Sequence, residues 1–200
     1  MKNIITISRE YGAGGHSIAK LVSEELQIPY YDRDIVRETA KASGFDLELV
    51  QNEGEEVSKT DSILKSICSA SSIYFHDTQE AIHDVQEAII LRLAGEGPCI
   101  ILGRCADEIL RANHIDSLNV FIHADDLHRA VHISELTGVT DATELQKIMA
   151  KRDSSRHTYY GHYTGKKWGD SRNYHLSLDS GALGYELCAK FIVEAARTLE

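Results

Sequence analysis

Short apolar runs recur along the chain and predict the strands of a buried sheet. Residues 99–102 and 118–122 are almost entirely apolar, as expected of strands that are covered on both faces. Three further runs have the length and composition of strands, and they span residues 4–8, 29–31 and 174–178. The pattern therefore predicts five strands.

Between these runs, apolar residues recur every three or four positions, which predicts amphipathic helices. Residues 16–26 and 80–94 each carry one such stripe. A further helix is predicted over 182–199, with Leu187, Phe191 and Ala195 facing inward. Because strands and helices alternate, the economical architecture is a parallel sheet with right-handed crossovers. The polar, mostly helical segment 44–95 interrupts this alternation and adds no strand.

Composition narrows the class of protein. The 200 residues are 42% hydrophobic and 26% charged, which suits one α/β domain with a buried core. No apolar run is as long as a membrane span, and no secretory signal pattern is present. The four cysteines are widely separated and show no CxxC spacing, which favours a cytoplasmic protein without a structural metal.

The charge is distributed unevenly. A net charge of −10 argues against a general nucleic-acid binder. Residues 151–172 nevertheless hold six lysines and arginines against two aspartates. Such a segment can supply a local field for a small anionic substrate, or it can be a solvated loop.

The first predicted strand leads into a glycine-rich loop, residues 10–17, with the sequence EYGAGGHS. Closely spaced glycines let backbone N–H groups point into one concavity, and the following helix N-terminus adds positive potential. Phosphate is therefore the expected ligand, and Ser17 stands where a hydroxyl would reach Mg²⁺. The alternative is a tight turn that binds nothing.

The loop lacks the lysine of a Walker A loop, because Gly15 stands at that position. Arg9 is the candidate for the missing charge, since a guanidinium binds phosphate bidentately. His16 is a weaker candidate, and Lys20 lies one turn into the helix on the wrong side. The structural alternative is that Arg9 pairs with Glu10 or with a neighbouring carboxylate.

Further segments stand in the order found in nucleoside monophosphate kinases: IPYYDRD at 28–34, CIILGRCADEIL at 99–110, LNVFIHADDLHRAVHI at 118–133 and the stretch 151–181, which contains YYGHYTGKKWGD. With SREYGAGG, this set resembles the cytidylate kinases, and most closely the cytidylate kinase-like group, over nearly the whole chain. The resemblance implies a P-loop NTPase three-layer α/β sandwich. Its five-stranded parallel sheet would have the order 2-3-1-4-5, with a helical NMP-binding arm and a lid.

The resemblance also implies how one kinase domain is divided. The core would comprise residues 1–31, 96–150 and 173–200. The NMP-binding arm would span about 32–95 and the lid about 151–172. The arm carries apolar residues that could serve a homodimer contact or internal packing, namely Ile63, Leu64, Ile67, Ile73, Tyr74 and Phe75.

By the same resemblance, ATP with Mg²⁺ is the phosphoryl donor and CMP, dCMP or a related small molecule is the acceptor; neither nucleic acid nor membrane is an expected partner. The expected donor-binding residues are Arg9, Gly12, Ala13, Gly14, Gly15, His16 and Ser17, with Ser17 also toward the metal. The expected acceptor-binding residues are Asp32, Arg33, Arg104 and Arg129. The expected catalytic residues are Arg104, Arg152 and Arg156.

Several of these assignments have structural alternatives. Arg104 could bridge to Asp107, Asp32 could cap the next helix, and Arg129 could anchor the lid. Arg152 and Arg156 could be surface charges. Tyrosines and a tryptophan in the lid could stack on a base or pack the lid against the core.

The chain also departs from the family pattern. Cytidylate kinases carry GRD after the third strand, and the aspartate helps to recognise cytosine; here Cys105 follows Arg104. The residue that best supports recognition of cytosine is therefore absent from this chain. The alternative function is a nucleotide-binding regulatory protein that kept the fold and lost phosphoryl transfer. His128 and His132 have the spacing of metal ligands, but Arg129 between them argues against a bound cation.

Overall fold

A computed structural model of the chain describes residues 4–44 and 72–198. Five strands form one parallel sheet: β1 (Ile4–Arg9), β2 (Tyr30–Tyr31), β3 (Cys99–Leu102), β4 (Leu118–His123) and β5 (Leu176–Asp179). Their order is β2-β3-β1-β4-β5, which confirms the expected topology. The last strand begins two residues later than predicted, because Tyr174 and His175 still belong to the turn before it.

Helices flank the sheet. The described residues form α1 (Gly15–Leu26), α2 (Arg33–Ser43), α3 (Ser72–Glu96), α4 (Ala106–Ala112), α5 (Asp126–Thr137), α6 (Ala142–Thr164), α7 (Ser180–Leu183) and α8 (Tyr185–Thr198). A single 3₁₀ turn, Ser171–Asn173, precedes β5.

The core lies in two layers, one on each face of the sheet. Successive side chains of a strand point to opposite faces. In β1, Ile5 and Ile7 therefore join the layer with α1 and α8, whereas Ile4 joins the layer with α3 and α4. Both faces are covered, which explains why β3 and β4 are continuous apolar runs.

The predicted C-terminal helix differs from the structure in two respects. Gly184 divides it into α7 and α8, and the predicted inward face is wrong. Leu187 and Phe191 are 40% and 45% exposed, while Cys188 and Ile192 are fully buried. The sequence offers two stripes one residue apart, and close packing against Ala19 and Val22 of α1 selects the stripe that includes the smaller residues.

The predicted arm and lid are described only in part. Residues 45–71 lie outside the described residues, as do the side chains of the apolar positions proposed for a dimer contact, so that contact stays a prediction. The first half of the predicted lid is the carboxyl-terminal half of α6. In residues 4–44 and 72–198, no helix is long and apolar enough to span a membrane.

Candidate functional site

The glycine-rich loop leaves the carboxyl end of β1 and is packed tightly between α5 and α8. Gly12 and Gly14 have φ values of +86° and +74°, which glycine adopts without strain. A Cβ on Gly12 would lie 2.8 Å from the carbonyl oxygen of Arg129, and one on Gly14 would lie 2.3 Å from Cζ of Tyr185. Both positions therefore require glycine for two reasons, the backbone conformation and the space.

Gly15 is required for a different reason. It is the first residue of α1, and a Cβ there would lie 2.7 Å from Cγ and 2.8 Å from Cβ of Arg9. The aliphatic part of Arg9 thus fills the space that a side chain at position 15 would occupy. At the position where a Walker A loop has lysine, this chain instead has a glycine covered by an arginine from the preceding strand.

Asp32 lies beside this arginine. Its Oδ1 is 3.5 Å from Nη2 of Arg9, and its Oδ2 is 3.3 Å from Nδ1 of His16. Asp32 occupies the N-cap position of α2, but its side chain accepts no capping hydrogen bond. Arg9 therefore pairs with a neighbouring carboxylate, as one alternative expected, and that carboxylate belongs to Asp32.

These residues line a cavity of about 280 Å³, here called the loop cavity. Its walls are formed by the glycine-rich loop, Arg9 and Asp32, by Arg156, and by residues of α5. Ser17 and Asp32 contribute hydroxyl and carboxylate oxygens, which are the donor types that Mg²⁺ takes. Lys20 points elsewhere: it is 62% exposed and lies 3.9 Å from Glu24.

Two predicted arginines of α6 meet at the mouth of the loop. Arg152 and Arg156, one turn apart, place their guanidinium carbons 5.6 and 5.7 Å from the ring centroid of Tyr11. Arg156 Nη1 also donates a hydrogen bond to the carbonyl oxygen of Arg9 at 3.0 Å. Both distances are within the range of a cation–π contact, which stabilises the two arginines beside Tyr11.

Arg129 ties the loop to α6. Its side chain is 7% exposed, and its Nη1 lies 3.3 Å from Oε2 of Glu10. Nε donates to the carbonyl oxygen of Tyr11 at 2.8 Å, and Nη2 bonds to Asp153. Asp153 in turn accepts from the backbone N–H of Tyr11 at 2.8 Å. These contacts match the alternative in which Arg129 anchors the lid. Contact of Arg129 with the acceptor stays a prediction.

Arg104 lies on the other side of β1, in a strained turn after β3. Arg104 and Cys105 have φ values of +60° and +54°, which are uncommon for side chains larger than glycine and often found at functional sites. Arg104 is 4% exposed and lines a second cavity of about 20 Å³, here called the inner cavity. That volume holds about one water molecule. Arg156 lines both cavities and so stands between them.

Asp107 also lines the inner cavity. It is 4% exposed and accepts a hydrogen bond from Oη of Tyr160 at 2.7 Å. Burial raises the pKa of this carboxyl from 3.8 to about 6, and the bond from Tyr160 offsets part of that rise. The carboxylate that the family resemblance implies at position 105 is absent, and the next acid along the chain, Asp107, lies two residues further on.

The lid aromatics pack against the core. Tyr159 and Tyr160 are buried with Cys105, and Nε1 of Trp168 donates to Oγ of Ser8 at 3.0 Å. His83 of α3 stacks on Tyr163 with ring centroids 3.6 Å apart. Of the two alternatives for these side chains, packing is the one that the structure displays.

The remaining predicted residues are one buried residue of the glycine-rich loop, the first residue of α2 and two histidines of α5. Ala13 is fully buried, and its carbonyl oxygen accepts from Ser180 Oγ at 2.8 Å. Arg33 begins α2, and its side chain lies outside the described part of the chain. His128 and His132 both contact the ring of Tyr185. Among the described residues, no group of three or more His, Cys, Asp or Glu could hold a metal ion.

Sequence reasoning missed Tyr11, Asp153 and the burial of Asp107. Tyr11 directly precedes the glycine turn, and its position in the sequence could have marked it as a candidate site residue. The contact of Asp153 with the loop joins residues 142 positions apart, and no local pattern predicts it.

Comparisons with known proteins bear on the family and on the fold. The sequence profile of the cytidylate kinase-like family matches residues 4–182. A crystal structure of an uncharacterized protein from Eubacterium ventriosum ATCC 27560 is similar, with 27% identity, a TM-score of 0.72 and coverage of 98% of each chain. No curated protein sequence matches significantly.

More distant solved structures share the fold. Shikimate kinase from Acinetobacter baumannii, in complex with shikimate, has 10% identity and a TM-score of 0.54, with 100% of this chain and 97% of that chain covered. A sugar kinase from Janibacter sp. HTCC2649 has 14% identity and a TM-score of 0.50, with 99% and 94% covered. At such identities the likeness concerns the fold alone.

Proposed function

Because the chain belongs to the cytidylate kinase-like family, we propose that it is an ATP- and Mg²⁺-dependent phosphotransferase, a nucleoside monophosphate kinase acting on CMP, dCMP or a related small acceptor. Phosphoryl transfer requires little covalent help from a protein. It requires the donor and the acceptor to be held in line and the charge on the transferred group to be neutralised. The two cavities on either side of Arg156 suit that requirement.

The loop cavity is the proposed donor site. Backbone N–H groups of residues 12–17 and the N-terminus of α1 would hold the β-phosphate. Mg²⁺ would be held by phosphate oxygens and by Ser17 Oγ, which lies one residue beyond the Ser/Thr position of a Walker A loop when Gly15 takes the lysine position. Asp32 would be a nearby carboxylate. Bound there, the metal supplies charge neutralisation between the phosphates.

Arg9 is the proposed replacement for the Walker lysine, and this assignment carries the proposal. Its stem fills the space next to Gly15, and its guanidinium lines the loop cavity. Its Nη2 lies 3.5 Å from Oδ1 of Asp32. A phosphate group, which accepts bidentate hydrogen bonds from a guanidinium, is a stronger partner than a carboxylate at that distance.

The acceptor is proposed to bind on the side of Arg104. Arg104 would hold the acceptor phosphate. Asp32, Arg33 and Arg129 stay proposed acceptor contacts, although Asp32 lines the loop cavity and Arg129 pairs with Glu10 and Asp153. Arg152 and Arg156 would contact the γ-phosphoryl group during transfer. The inner cavity is far smaller than a nucleobase, so acceptor entry requires the lid to move. Closure then excludes water, which would otherwise accept the phosphoryl group.

Cys105 and Asp107 bear on which acceptor is bound. Cys105 is buried among Tyr159 and Tyr160, so the position that recognises cytosine in cytidylate kinases supports packing here. Asp107 is the acidic group that lines the inner cavity. Cys99, Cys105 and Cys188 are buried and form no disulfide within the described part of the chain; a cytoplasmic location is proposed from the cysteine pattern of the sequence.

A second candidate function is a nucleotide-binding regulator without transfer activity. The observation that favours it is the glycine at the lysine position, since loss of one electrostatic group can lower a rate by about 10²–10³. The observation against it is the set of arginines gathered around both cavities. A pure binding site for ATP has no need of Arg104.

The test is ADP release from ATP and Mg²⁺ with CMP, dCMP, UMP, AMP, GMP or no acceptor. We expect a pyrimidine monophosphate to raise ADP release above the blank, with transfer confirmed by detection of the corresponding diphosphate. Tight ATP binding without stimulation by any acceptor would contradict the nucleoside monophosphate kinase and favour the regulator. Shikimate and gluconate serve as controls for small hydroxyl acceptors.

A further inference from the structure

Tyr11, the residue before the glycine turn, is fixed in place by two helices. Its backbone N–H donates a hydrogen bond to Oδ1 of Asp153 in α6 at 2.8 Å, and its carbonyl oxygen accepts one from Nε of Arg129 in α5 at 2.8 Å. Its side chain packs against the buried cluster that includes Ile133 and Met149. Main-chain and side-chain contacts together therefore determine where the ring of Tyr11 lies.

Two arginines of α6 share this ring. The guanidinium carbons of Arg152 and Arg156 lie over it, 5.6 and 5.7 Å from its centroid. Like charges four residues apart on a helix repel each other, whereas the face of an aromatic ring attracts a cation. Tyr11 therefore offsets the repulsion that would otherwise separate the two guanidinium groups.

Tyr11 also lies at the loop cavity. It lines that cavity together with the glycines of the loop and with Arg156. Nη1 of Arg156 donates a hydrogen bond to the carbonyl oxygen of Arg9, two residues before Tyr11, at 3.0 Å. The main chain of Tyr11 is thus part of the glycine-rich loop, while its side chain contacts the arginines of the lid.

We propose that Tyr11 is a positioning residue for phosphoryl transfer, whose ring holds Arg152 and Arg156 where they contact the transferred group. This inference rests on the proposed function, in which the two arginines act on the γ-phosphoryl group. In this role Tyr11 acts through the arginines and not on the phosphates. Interactions that are made only in the transition state change kcat and leave the affinity for the bound substrate unaltered.

Substitutions of Tyr11 separate the ring from the hydroxyl group. Tyr11→Phe keeps the ring, whereas Tyr11→Leu and Tyr11→Met keep an apolar side chain and remove the ring. The measurements are kcat for transfer from ATP to the preferred acceptor, the KM for ATP, and the free energy of unfolding. We expect Tyr11→Phe to keep kcat within about twofold of the unaltered chain. We expect both ring-free variants to lower kcat about tenfold, the loss of two cation–π contacts, and to change the KM for ATP by less than about twofold.

A double-mutant cycle determines whether Tyr11 acts through the arginines. In a chain that already carries Arg152→Gln and Arg156→Gln, Tyr11→Leu should lower the residual kcat by less than about twofold, because no cation remains for the ring to hold. A role of Tyr11 in folding alone would give the same effect in both backgrounds.

The outcomes separate this inference from the proposed function. Three results would overturn the inference alone: an unchanged kcat in Tyr11→Leu, equal losses in Tyr11→Phe and Tyr11→Leu, or the same loss with and without the two arginines. Unfolding of both ring-free variants would assign Tyr11 to the fold and would overturn the inference as well. Absence of transfer by the unaltered chain to any acceptor would overturn the proposed function, and the inference with it.

Discussion

At the scale of single residues, the proposed donor site depends on Arg9 taking the role of the lysine that is absent at position 15. A P-loop kinase needs a cation beside the glycine-rich loop, and the usual source is a lysine within the loop. Here the loop position is glycine, and Arg9 covers it from the end of β1. The planar guanidinium can contact two phosphate oxygens at once, which an ammonium group cannot do in the same way.

A second residue-scale feature is the buried acid Asp107, and it leads to a prediction about stability. The folded chain holds the proton of Asp107 more tightly than the unfolded chain, because its pKa is about 6 instead of 3.8. The stability contributed by protonation is therefore complete below pH 4 and lost as the pH rises through 6. The loss corresponds to at most about 3 kcal/mol at pH 7.

Asp107→Asn should remove this loss, because the amide oxygen can still accept from Tyr160 and carries no charge. We expect the variant to be up to about 3 kcal/mol more stable than the unaltered chain at pH 7.5, with the difference shrinking by pH 4.5. Urea unfolding at both pH values measures it. An equal stability difference at the two pH values would contradict the assigned titration of Asp107.

At the scale of elements, α6 connects the two halves of the candidate site. Its arginines reach the glycine-rich loop, its tyrosines pack on α3 and α4, and Asp153 binds the backbone of Tyr11. The element that the sequence divides into core and lid is thus one continuous helix, Ala142–Thr164. Movement of the lid would have to bend or shift this helix.

Arg129 is the main tie between α6 and the loop, and its removal should be costly. We expect Arg129→Leu to lower the free energy of unfolding by about 3 kcal/mol, since Glu10 and Asp153 would keep their charges and lose their buried partner. Chemical denaturation measures the effect.

The control for that prediction is Arg197→Leu. Arg197 pairs with Glu25 at 3.2 Å, and both side chains are roughly half exposed. Loss of such a surface pair should lower the free energy of unfolding by under about 1 kcal/mol. Similar effects of the two substitutions would argue against the anchoring role of Arg129.

At the scale of the whole molecule, a strongly acidic chain has several arginine side chains close together at one edge of its sheet. The net charge is −10, yet Arg9, Arg104 and Arg156 line the two cavities. Clefts lined by one sign of charge concentrate oppositely charged ligands locally, whatever the net charge of the protein. This arrangement suits a small phosphorylated substrate and does not suit extended nucleic acid.

The strands were predictable because short apolar runs are a local property of the sequence. The strand order came from the family resemblance. The pairing of Arg9 with Asp32 was expected only in general form, as a neighbouring carboxylate. The buried face of α8 was not predictable, since two stripes of similar hydrophobicity compete and only the approach of α1 decides between them. Contacts such as Tyr11 with Asp153 depend on how distant helices pack.

The exchange of Arg9 for the Walker lysine is the central claim, and reversing the exchange tests it most directly. Phosphoryl transfer from ATP to the preferred acceptor would be measured for Arg9→Ala, for Gly15→Lys and for the double variant, with Lys20→Ala as control. We expect Arg9→Ala to lower kcat/KM by about 10²-fold or more. We expect Gly15→Lys alone to lose activity, because the new side chain meets the stem of Arg9. The double variant should regain at least about tenfold over Arg9→Ala, as a lysine then supplies the charge in the vacated space. A correctly folded double variant no more active than Arg9→Ala, or an Arg9→Ala variant as active as Lys20→Ala, would contradict the account.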